Sequence, residues 1–184
     1  MSEKLVLDKH IARVLIDPDA IQQRIAELGQ EISKDYHEQE LVVVCILKGA
    51  FLFTSDLCRN ISLQQKLDFM AVSSYGHSTQ SSGIVRIEKD LSESIEGKHV
   101  LIVEDIIDSG LTMSYLVKIL SDRKPASIKI CVLCHKPSNL QQRVKIDYCG
   151  FTLEDEFVVG YGLDFRGYLR NLPYIGVVKP EYAD

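Results

Sequence analysis

The sequence has few of the features that mark non-globular or membrane-bound chains. Only five prolines and eleven glycines occur among 184 residues, which excludes a collagen-like or low-complexity chain. No apolar run approaches the roughly 20 residues of a membrane-spanning helix. The opening residues, MSEKLVLDKH, lack the apolar core of a signal peptide. We therefore expect a cytoplasmic protein without a membrane partner.

The sequence also lacks a basic cluster and a regular cysteine pattern. Lysines and arginines occur singly or in pairs and the formal net charge is −5, which argues against a nucleic-acid partner. The five cysteines are odd in number and irregularly spaced, so we expect no disulfide framework. Cys131 and Cys134 lie inside a β-branched apolar run, and we interpret them as buried thiols rather than metal ligands.

Helical and strand patterns alternate along the chain. Asp17 followed by Pro18 is a typical helix start, and apolar residues recur at helical spacing to about Tyr36. The run LVVVCIL at residues 41–47 is wholly apolar, as expected of a parallel strand covered on both faces. Similar patterns predict helices at residues 51–61 and 113–121, strands at residues 67–75, 84–90, 98–104 and 127–134, and short strands at residues 147–150, 157–161 and 174–178.

This alternation predicts an α/β fold with a mostly parallel, helix-covered sheet. The sequence shows no internal repeat or linker, so we expect residues 1–184 to form a single domain. Ligands of open α/β sheets bind at the carboxyl ends of the strands. The polar clusters described next all follow predicted strands, which indicates one shared site.

The most informative segment is VLIVEDIIDSGLT at residues 100–112. An apolar strand pattern ends in Glu104 and Asp105, and Asp108, a small-residue turn and a helix pattern follow. Backbone N–H groups at such a turn and helix N-terminus bind phosphate, and neighbouring acids suit sugar hydroxyls or a Mg²⁺ ion. The sequence has no G-x-x-x-x-G-K-[ST] or G-x-G-x-x-G loop. The segment therefore indicates a phosphorylated sugar as ligand, with an acidic surface loop as the alternative.

The same segment resembles the phosphoribosyl-pyrophosphate (PRPP) motif of type I phosphoribosyltransferases. The resemblance implies their fold, a mostly parallel central sheet flanked by helices, with a small hood built from N- and C-terminal segments. It also implies Mg²⁺ as cofactor and a homo-oligomer, either a dimer or a tetramer. The implied PRPP-binding residues are Glu104, Asp105, Ile106, Ile107, Asp108, Ser109, Gly110, Leu111 and Thr112.

Two further segments resemble this family on the pyrophosphate side of the ligand. Leu47, Lys48 and Gly49 follow a buried strand and match the family's pyrophosphate loop, in which the peptide before the lysine is often cis. A plain strand-to-helix turn with a surface lysine is the alternative for this segment. Ser74 and Tyr75 begin a stretch at about 74–84 that is similar to the family's flexible catalytic loop, with an exposed hairpin tip as the alternative.

The remaining segments resemble the 6-oxopurine branch of the family. Lys136 matches the lysine that donates to the purine 6-oxo group, as an ammonium with donors only would. By resemblance, Asp164 binds a second Mg²⁺ near the base, whereas Glu104 and Asp105 serve the first, and Arg170 binds pyrophosphate. The residues implied to contact the purine directly are Phe157, which stacks on it, Val158, whose backbone bonds its edge, and Ile106 and Leu163, which pack on its other face.

The resemblance implies Mg²⁺-dependent transfer of a phosphoribosyl group from PRPP to hypoxanthine or guanine. Asp108 is the candidate general base, and a carboxylate that only caps the following helix is its alternative role. Two alternative functions are a PRPP- or purine-sensing regulator that binds nucleic acid, and a phosphoribosyltransferase that prefers xanthine or adenine. The sequence does not rank hypoxanthine against guanine.

Overall fold

The computed structural model describes residues 9–74 and 85–182, and these form two sheets and three α-helices. The strands are β1 (Ile11–Ile16), β2 (Leu41–Leu47), β3 (Gln65–Ser74), β4 (Val85–Lys89), β5 (His99–Ile107), β6 (Ser127–His135), β7 (Tyr148–Thr152), β8 (Val158–Val159) and β9 (Ile175–Val178). The helices are α1 (Pro18–Asp35), α2 (Phe51–Asn60) and α3 (Leu111–Ser121). None of the helices among these residues is long and apolar enough to cross a membrane.

The larger sheet has the strand order β4-β3-β2-β5-β6-β7. All its neighbouring strands are parallel except the edge pair of β3 and β4. Helices cover both faces of this sheet, and β2 is accordingly apolar throughout, with six of its seven residues buried. The predicted mostly parallel sheet is confirmed, and its central strands β2 and β5 deliver their carboxyl ends to one edge.

The helices begin where local chemistry favours them. Asp17 caps α1, because its side chain accepts a hydrogen bond from the Ala20 N–H at 2.9 Å, and Pro18 occupies the first turn. The buried face of α1 carries Ile21, Ile25 and Ile32, spaced as an amphipathic helix requires. These residues pack with β2 and α2 in the core on one face of the larger sheet, while α3 packs on the other face.

The smaller sheet forms the hood that the family resemblance implied. Its order is β1-β9-β8, with both pairs antiparallel, so it joins the N-terminal segment to the C-terminal one. Strand β1 was absent from the sequence-based prediction. Its residues IARVLI carry Arg13 in the middle and alternate poorly between buried and exposed positions, so the sequence pattern gives little strand signal.

Two boundaries beside the PRPP motif differ from the prediction. β5 was expected to end at Glu104 but continues to Ile107, because Ile106 and Ile107 pair with Cys134 and His135 of β6. α3 was expected from Met113 but begins at Leu111. The turn between strand and helix therefore contains only residues 108–110. The five cysteines are free, and Cys131 and Cys134 are buried, as predicted for these two thiols.

Candidate active site

The turn after β5 forms a small cradle at the carboxyl edge of the larger sheet. A cavity of about 130 Å³ is lined by Glu104, Ile106, Ile107, Asp108, Ser109, Gly110, Thr112 and Met113. Asp108 is exposed at the mouth of this cradle, whereas Ile107 and Gly110 are buried. The structure thus brings seven of the nine predicted PRPP-binding residues around one space, whereas Asp105 and Leu111 do not line it.

Backbone groups in the cradle are arranged to present N–H donors. Gly110 is left-handed, with φ 76°, and caps α3, whose first N–H groups have no partner within the helix. The Leu111 N–H lies 3.4 Å from Ser109 Oγ. The Ser109 carbonyl turns the other way and accepts hydrogen bonds from the Gln141 and Gln142 N–H groups at 2.9 and 3.0 Å. The Ser109 carbonyl is thus held by its own partners, and the N-terminus of α3 is the part of this turn that is suited to phosphate.

The two adjacent acids of the motif occupy different environments. Glu104 is only 9% exposed, and burial, together with the charge of neighbouring Asp105, raises the pKa of its carboxyl well above the usual range. Glu104 Oε1 accepts a hydrogen bond from the Asp105 N–H at 3.1 Å. Asp105 Oδ1 accepts from the Ile106 N–H at 2.8 Å. The pair is therefore a crowded set of hard oxygen atoms, and Glu104 is the member that lines the cavity.

This donor set fits Mg²⁺. Magnesium is bound in proteins by one or two carboxylates together with substrate oxygens, rather than by a complete protein cage. Within residues 9–74 and 85–182, no three His, Cys, Asp or Glu side chains group together as a metal site. Glu104 and Asp105 match the pattern of two carboxylates that bind Mg²⁺ together with substrate oxygens, because a cation would relieve their mutual repulsion.

The predicted pyrophosphate loop lies directly against Asp105. The peptide between Leu47 and Lys48 is cis, as in the family that the sequence resembles. Gly49 is buried, and a Cβ atom added there would lie 1.5 Å from Asp105 Oδ2. Only glycine permits so close an approach. Lys48 is exposed and forms no ion pair with another described residue, so its ammonium is available to an anionic ligand.

We expect Gly49→Ala to displace the Asp105 carboxylate and to lower kcat/KM at least tenfold. The added methyl overpacks a buried contact, and such changes cost about 1–3 kcal/mol in the free energy of unfolding. Steady-state kinetics and urea denaturation measure the two effects. Gly97→Ala is the control, because Gly97 has φ 72° but no atom within 4 Å of an added Cβ. Gly97→Ala should lose stability and keep its kcat/KM. If kcat/KM were the same in both variants, the contact between Gly49 and Asp105 would not be needed for activity.

Lys136 is held beside the cradle at the end of β6. Its N–H donates to the Ile107 carbonyl at 2.9 Å, which ties it to the residue immediately before Asp108. The side chain is buried, with 7% of the residue exposed, and its Nζ lies 3.7 Å from Asp155 Oδ1. Since Asp155 is itself mostly exposed, it is a weak partner, and among the described residues the ammonium forms no other ion pair, so it can donate to a ligand.

The hood contributes an exposed aromatic ring and a buried backbone. Phe157 is 44% exposed, and its ring meets that of Phe165 edge to face with centroids 5.9 Å apart. Its carbonyl accepts from the Val178 N–H at 2.9 Å, so β9 fixes the chain while the ring remains accessible. Val158 and Leu163 are buried in the core cluster against which Ile106 packs. An exposed aromatic ring is suited to stacking on a planar ligand.

Asp164 and Arg170 form an ion pair in the hood. Arg170 Nη2 lies 2.5 Å from Asp164 Oδ1, and Asp164 Oδ2 accepts from the Gly167 N–H at 2.6 Å. Arg170 Nη1 also donates to the Gly162 carbonyl at 2.6 Å. Both carboxylate oxygens therefore have protein partners, and the described structure does not place Asp164 with Glu104 and Asp105 in one metal-binding group.

Two predicted loop residues fall at or beyond the limit of the description. Ser74 is the last residue of β3, and Tyr75 and the remainder of the predicted loop, to residue 84, lie outside the described residues. A cavity of about 490 Å³, larger than the cradle, lies at the opposite ends of the strands, where Val42, Leu67 and Lys98 are among its lining residues. Cavity size alone would therefore have misplaced the site.

Sequence reasoning missed the supports beneath the cradle. Gln141 and Gln142 follow no recognisable pattern, and they act through main-chain N–H groups that every residue except proline possesses. It also missed Tyr161, which is buried with φ 49° between two left-handed glycines. The run Gly160-Tyr161-Gly162 was the available signal, because paired glycines indicate unusual backbone.

The model of the phosphoribosyl transferase domain matches residues 15–166 of this chain. The chain belongs to that family. This phosphoribosyltransferase is similar to curated proteins named hypoxanthine-guanine phosphoribosyltransferase from Bacillus subtilis and Mycobacterium tuberculosis. The first is 52% identical over 94% of the chain and 96% of the relative. The second is 50% identical over 93% of the chain and 88% of the relative.

A solved structure supports the same family and fold. This phosphoribosyltransferase superimposes on a hypoxanthine phosphoribosyltransferase from Staphylococcus aureus with a TM-score of 0.92. The two are 46% identical, and the match covers 95% of each chain. The α/β fold with its hood and the family resemblance are therefore confirmed, and the chain is an enzyme of this family.

Proposed function

We propose that this phosphoribosyltransferase transfers the 5-phosphoribosyl group of PRPP to hypoxanthine or guanine, giving IMP or GMP and pyrophosphate. The observation that carries the proposal is the position of Lys136. The backbone N–H of Lys136 is hydrogen-bonded to the Ile107 carbonyl at the end of β5, and its side chain is buried. Its ammonium therefore places a donor for a 6-oxo group beside a site for a sugar phosphate. The relatives named above carry the corresponding activity in their names.

The cradle accounts for the sugar end of PRPP. Residues 108–112 bind the 5′-phosphate through backbone N–H groups and the Ser109 and Thr112 hydroxyls. Glu104 and Asp105 face the ribose hydroxyls. Because Asp105 contacts Gly49, these hydroxyls lie beside the pyrophosphate loop. Lys48 and Arg170 offset the charge of the pyrophosphate, and the planar guanidinium of Arg170 suits two oxygens at once.

The purine lies between the hood and the cradle. Phe157 stacks on one face of the base, and Ile106 and Leu163 pack against the other. Lys136 donates to the 6-oxo group, and the Val158 backbone binds the base edge. A purine with a 6-amino group would place an amine against a buried ammonium, which leaves both donors unpaired and is strongly disfavoured. This arrangement supports selection of 6-oxopurines.

Asp108 accepts the proton that the purine loses. One ring nitrogen attacks the anomeric carbon of PRPP as pyrophosphate departs, and the proton on the imidazole half of the base must be removed. Asp108 is exposed at the mouth of the cradle, one residue after the Ile107 carbonyl that holds Lys136. A carboxylate between the sugar site and the base site suits a general base.

Glu104 and Asp105 are the residues that would hold one Mg²⁺ ion, and Asp164 is proposed to hold a second. The chemistry that Mg²⁺ supplies when bound is neutralisation of negative charge on the departing pyrophosphate. We also infer that residues 1–184 act as one domain and that the enzyme is a homo-oligomer, which light scattering coupled to gel filtration would measure.

Chelation of divalent metal should abolish turnover. The two crowded carboxylates Glu104 and Asp105 need a cation to face the anionic PRPP without repulsion, so excess EDTA should lower the rate to background. Added Mg²⁺ should restore it. Because metal is also expected to tighten PRPP binding, calorimetry with and without Mg²⁺ gives a second readout. Full activity in excess EDTA would contradict the metal assignment.

The decisive test of the function uses purified protein, PRPP and Mg²⁺ with each purine base in turn, followed by absorbance. We expect turnover with hypoxanthine or guanine and little with adenine. Dominant turnover with xanthine or adenine would overturn the assigned base preference. Absence of turnover with any base, together with salt-dependent retention on heparin, would instead indicate a nucleic-acid-binding regulator.

A further inference from the structure

Tyr161 is a buried residue of the hood whose conformation the proposed reaction does not itself explain. Its backbone is left-handed, with φ 49°, and it lies between Gly160 at φ 98° and Gly162 at φ 102°. Such a conformation is uncommon for a residue with a side chain, and a bulky aromatic residue adopts it only where the surroundings hold it there. Tyr161 is also buried, at 6% exposure, so the surroundings can be identified.

The side chain of Tyr161 is held by the two helices beneath the hood. Its hydroxyl donates a hydrogen bond to Asp56 of α2. Gln22 of α1 donates to both partners, to Asp56 Oδ2 at 3.1 Å and to the Tyr161 hydroxyl at 3.2 Å. Arg59, one turn along α2, forms an ion pair with Asp56. Gln22 and Arg59 thus converge on one partly buried hydroxyl–carboxylate pair.

The protonation states of this pair suit the hydrogen bond. Burial raises the pKa of the Tyr161 hydroxyl, so the phenol keeps its proton and acts as the donor. Burial opposes ionisation of Asp56, but the hydrogen bonds from Tyr161 and Gln22 and the charge of Arg59 together hold the pKa of the Asp56 carboxyl below its usual value. Hydrogen bonds to a charged acceptor are stronger than those between neutral groups.

The backbone around Tyr161 holds the groups proposed to face pyrophosphate. The Gly162 N–H donates to the Arg170 carbonyl at 2.9 Å, and the Arg170 guanidinium donates back to the Gly162 carbonyl. Gly162 also lies against the pyrophosphate loop, because a Cβ atom added there would be 2.0 Å from the Gly49 carbonyl oxygen. The turn at residues 160–163 therefore touches both sides of the proposed pyrophosphate site.

We infer that the hydrogen bond between Tyr161 and Asp56 is a positioning device that sets Arg170 and residues 47–49 for the pyrophosphate end of PRPP. This inference rests on the proposed function, which assigns Arg170 and that loop to pyrophosphate. Lys136 and Phe157, proposed to hold the purine, form none of these hydrogen bonds, whereas Leu163, proposed to pack on the purine, belongs to the same turn through its hydrogen bonds with Gly160. The device should therefore govern the affinity for PRPP much more strongly than the affinity for purine.

Tyr161→Phe tests the inference, because it removes the hydroxyl and keeps the ring. We expect KM for PRPP to rise about tenfold, while kcat and KM for hypoxanthine stay within about twofold. Calorimetric binding of PRPP with Mg²⁺ should weaken by the same factor. Asp56→Ala should reproduce the effect, and Asp56→Asn should largely rescue it because its amide oxygen still accepts. The double variant should be no worse than either single variant.

Tyr148→Phe provides a matched control. The Tyr148 hydroxyl donates to the Asp35 carboxylate at 2.6 Å, and this residue is also buried, but it lies away from the cradle and the hood. Its loss should lower the melting temperature to a similar extent and leave every kinetic constant unchanged. If Tyr161→Phe behaved as this control does, the pair would be structural only and the inference would be wrong.

Arg170→Gln separates the inference from the function on which it rests. A raised KM for PRPP in Arg170→Gln with a normal one in Tyr161→Phe would overturn the positioning role and leave the proposed function standing. A normal KM in Arg170→Gln would overturn the assignment of Arg170 and the inference with it. Equal increases in the KM values for PRPP and hypoxanthine in Tyr161→Phe would also refute the inference.

Discussion

Asp108→Asn should lower the turnover number by about 10²–10⁴, the range typical of removing a general base, and leave PRPP binding nearly intact. The substitution keeps the size of the side chain and removes its capacity to accept a proton. Asp108 is exposed, so the replacement creates no cavity and no buried unpaired group. The phosphate contacts proposed for this turn come from backbone N–H groups, which the substitution does not change. Single-turnover kinetics and calorimetry with PRPP separate the two effects.

Asp122→Asn is the control for Asp108→Asn. Asp122 is an exposed aspartate at the far end of the same helix, α3, so it tests for a general effect of removing one negative charge near that helix. We expect it to match the unmodified enzyme. Near-normal turnover in Asp108→Asn would leave Asp108 as a turn residue that only caps the helix.

Lys136→Met should raise KM for hypoxanthine by about 10–100-fold, with KM for PRPP changed less than about threefold. The factor corresponds to a hydrogen bond to a charged group, worth about 1.5–3 kcal/mol. Methionine replaces the buried stem with a side chain of similar length, so loss of packing contributes little. Steady-state kinetics with each substrate varied in turn measures the two constants.

Asp155→Asn serves as the control for Lys136→Met. Asp155 is the 3.7 Å partner of the Lys136 ammonium and its side chain is 67% exposed, so losing this ion pair should change little. An equal rise in both KM values for Lys136→Met would show that Lys136 supports the cradle through its position rather than by contacting the base. Turnover of adenine should stay low, because the Met variant removes a repulsion and adds no acceptor.

The sequence predicted the central architecture because its signals are local. Residues 41–47 and the apolar part of β5 are buried on both faces, and such strands appear as unbroken apolar runs. The capped start of α1 depends only on Asp17 and Pro18, which are neighbours in the chain. By contrast, β1 owes its existence to pairing with β9, about 160 residues away, and its mixed side-chain pattern does not reveal that pairing.

The candidate site was predictable in its residues but not in its contacts. The PRPP motif placed Glu104 and Asp105 side by side, yet only the fold sets Asp105 against Gly49 and ties Lys136 to Ile107. The strand beneath the motif extends three residues further than expected because β6 offers partners for Ile106 and Ile107. Such pairings join segments distant in the chain, and no local pattern encodes them.

The hydrogen bonds that support the turn before Gly110 have a consequence for how this enzyme tolerates mutation. Two successive amides, from Gln141 and Gln142, converge on one oxygen of Ser109, and the glutamine side chains contribute nothing to that grip. Replacing Gln141 or Gln142 by alanine should therefore leave activity and stability unchanged. Deleting a single residue from this stretch would shift both N–H groups and break their hydrogen bonds to Ser109. The length and path of the backbone therefore matter here, and the identity of the side chains does not.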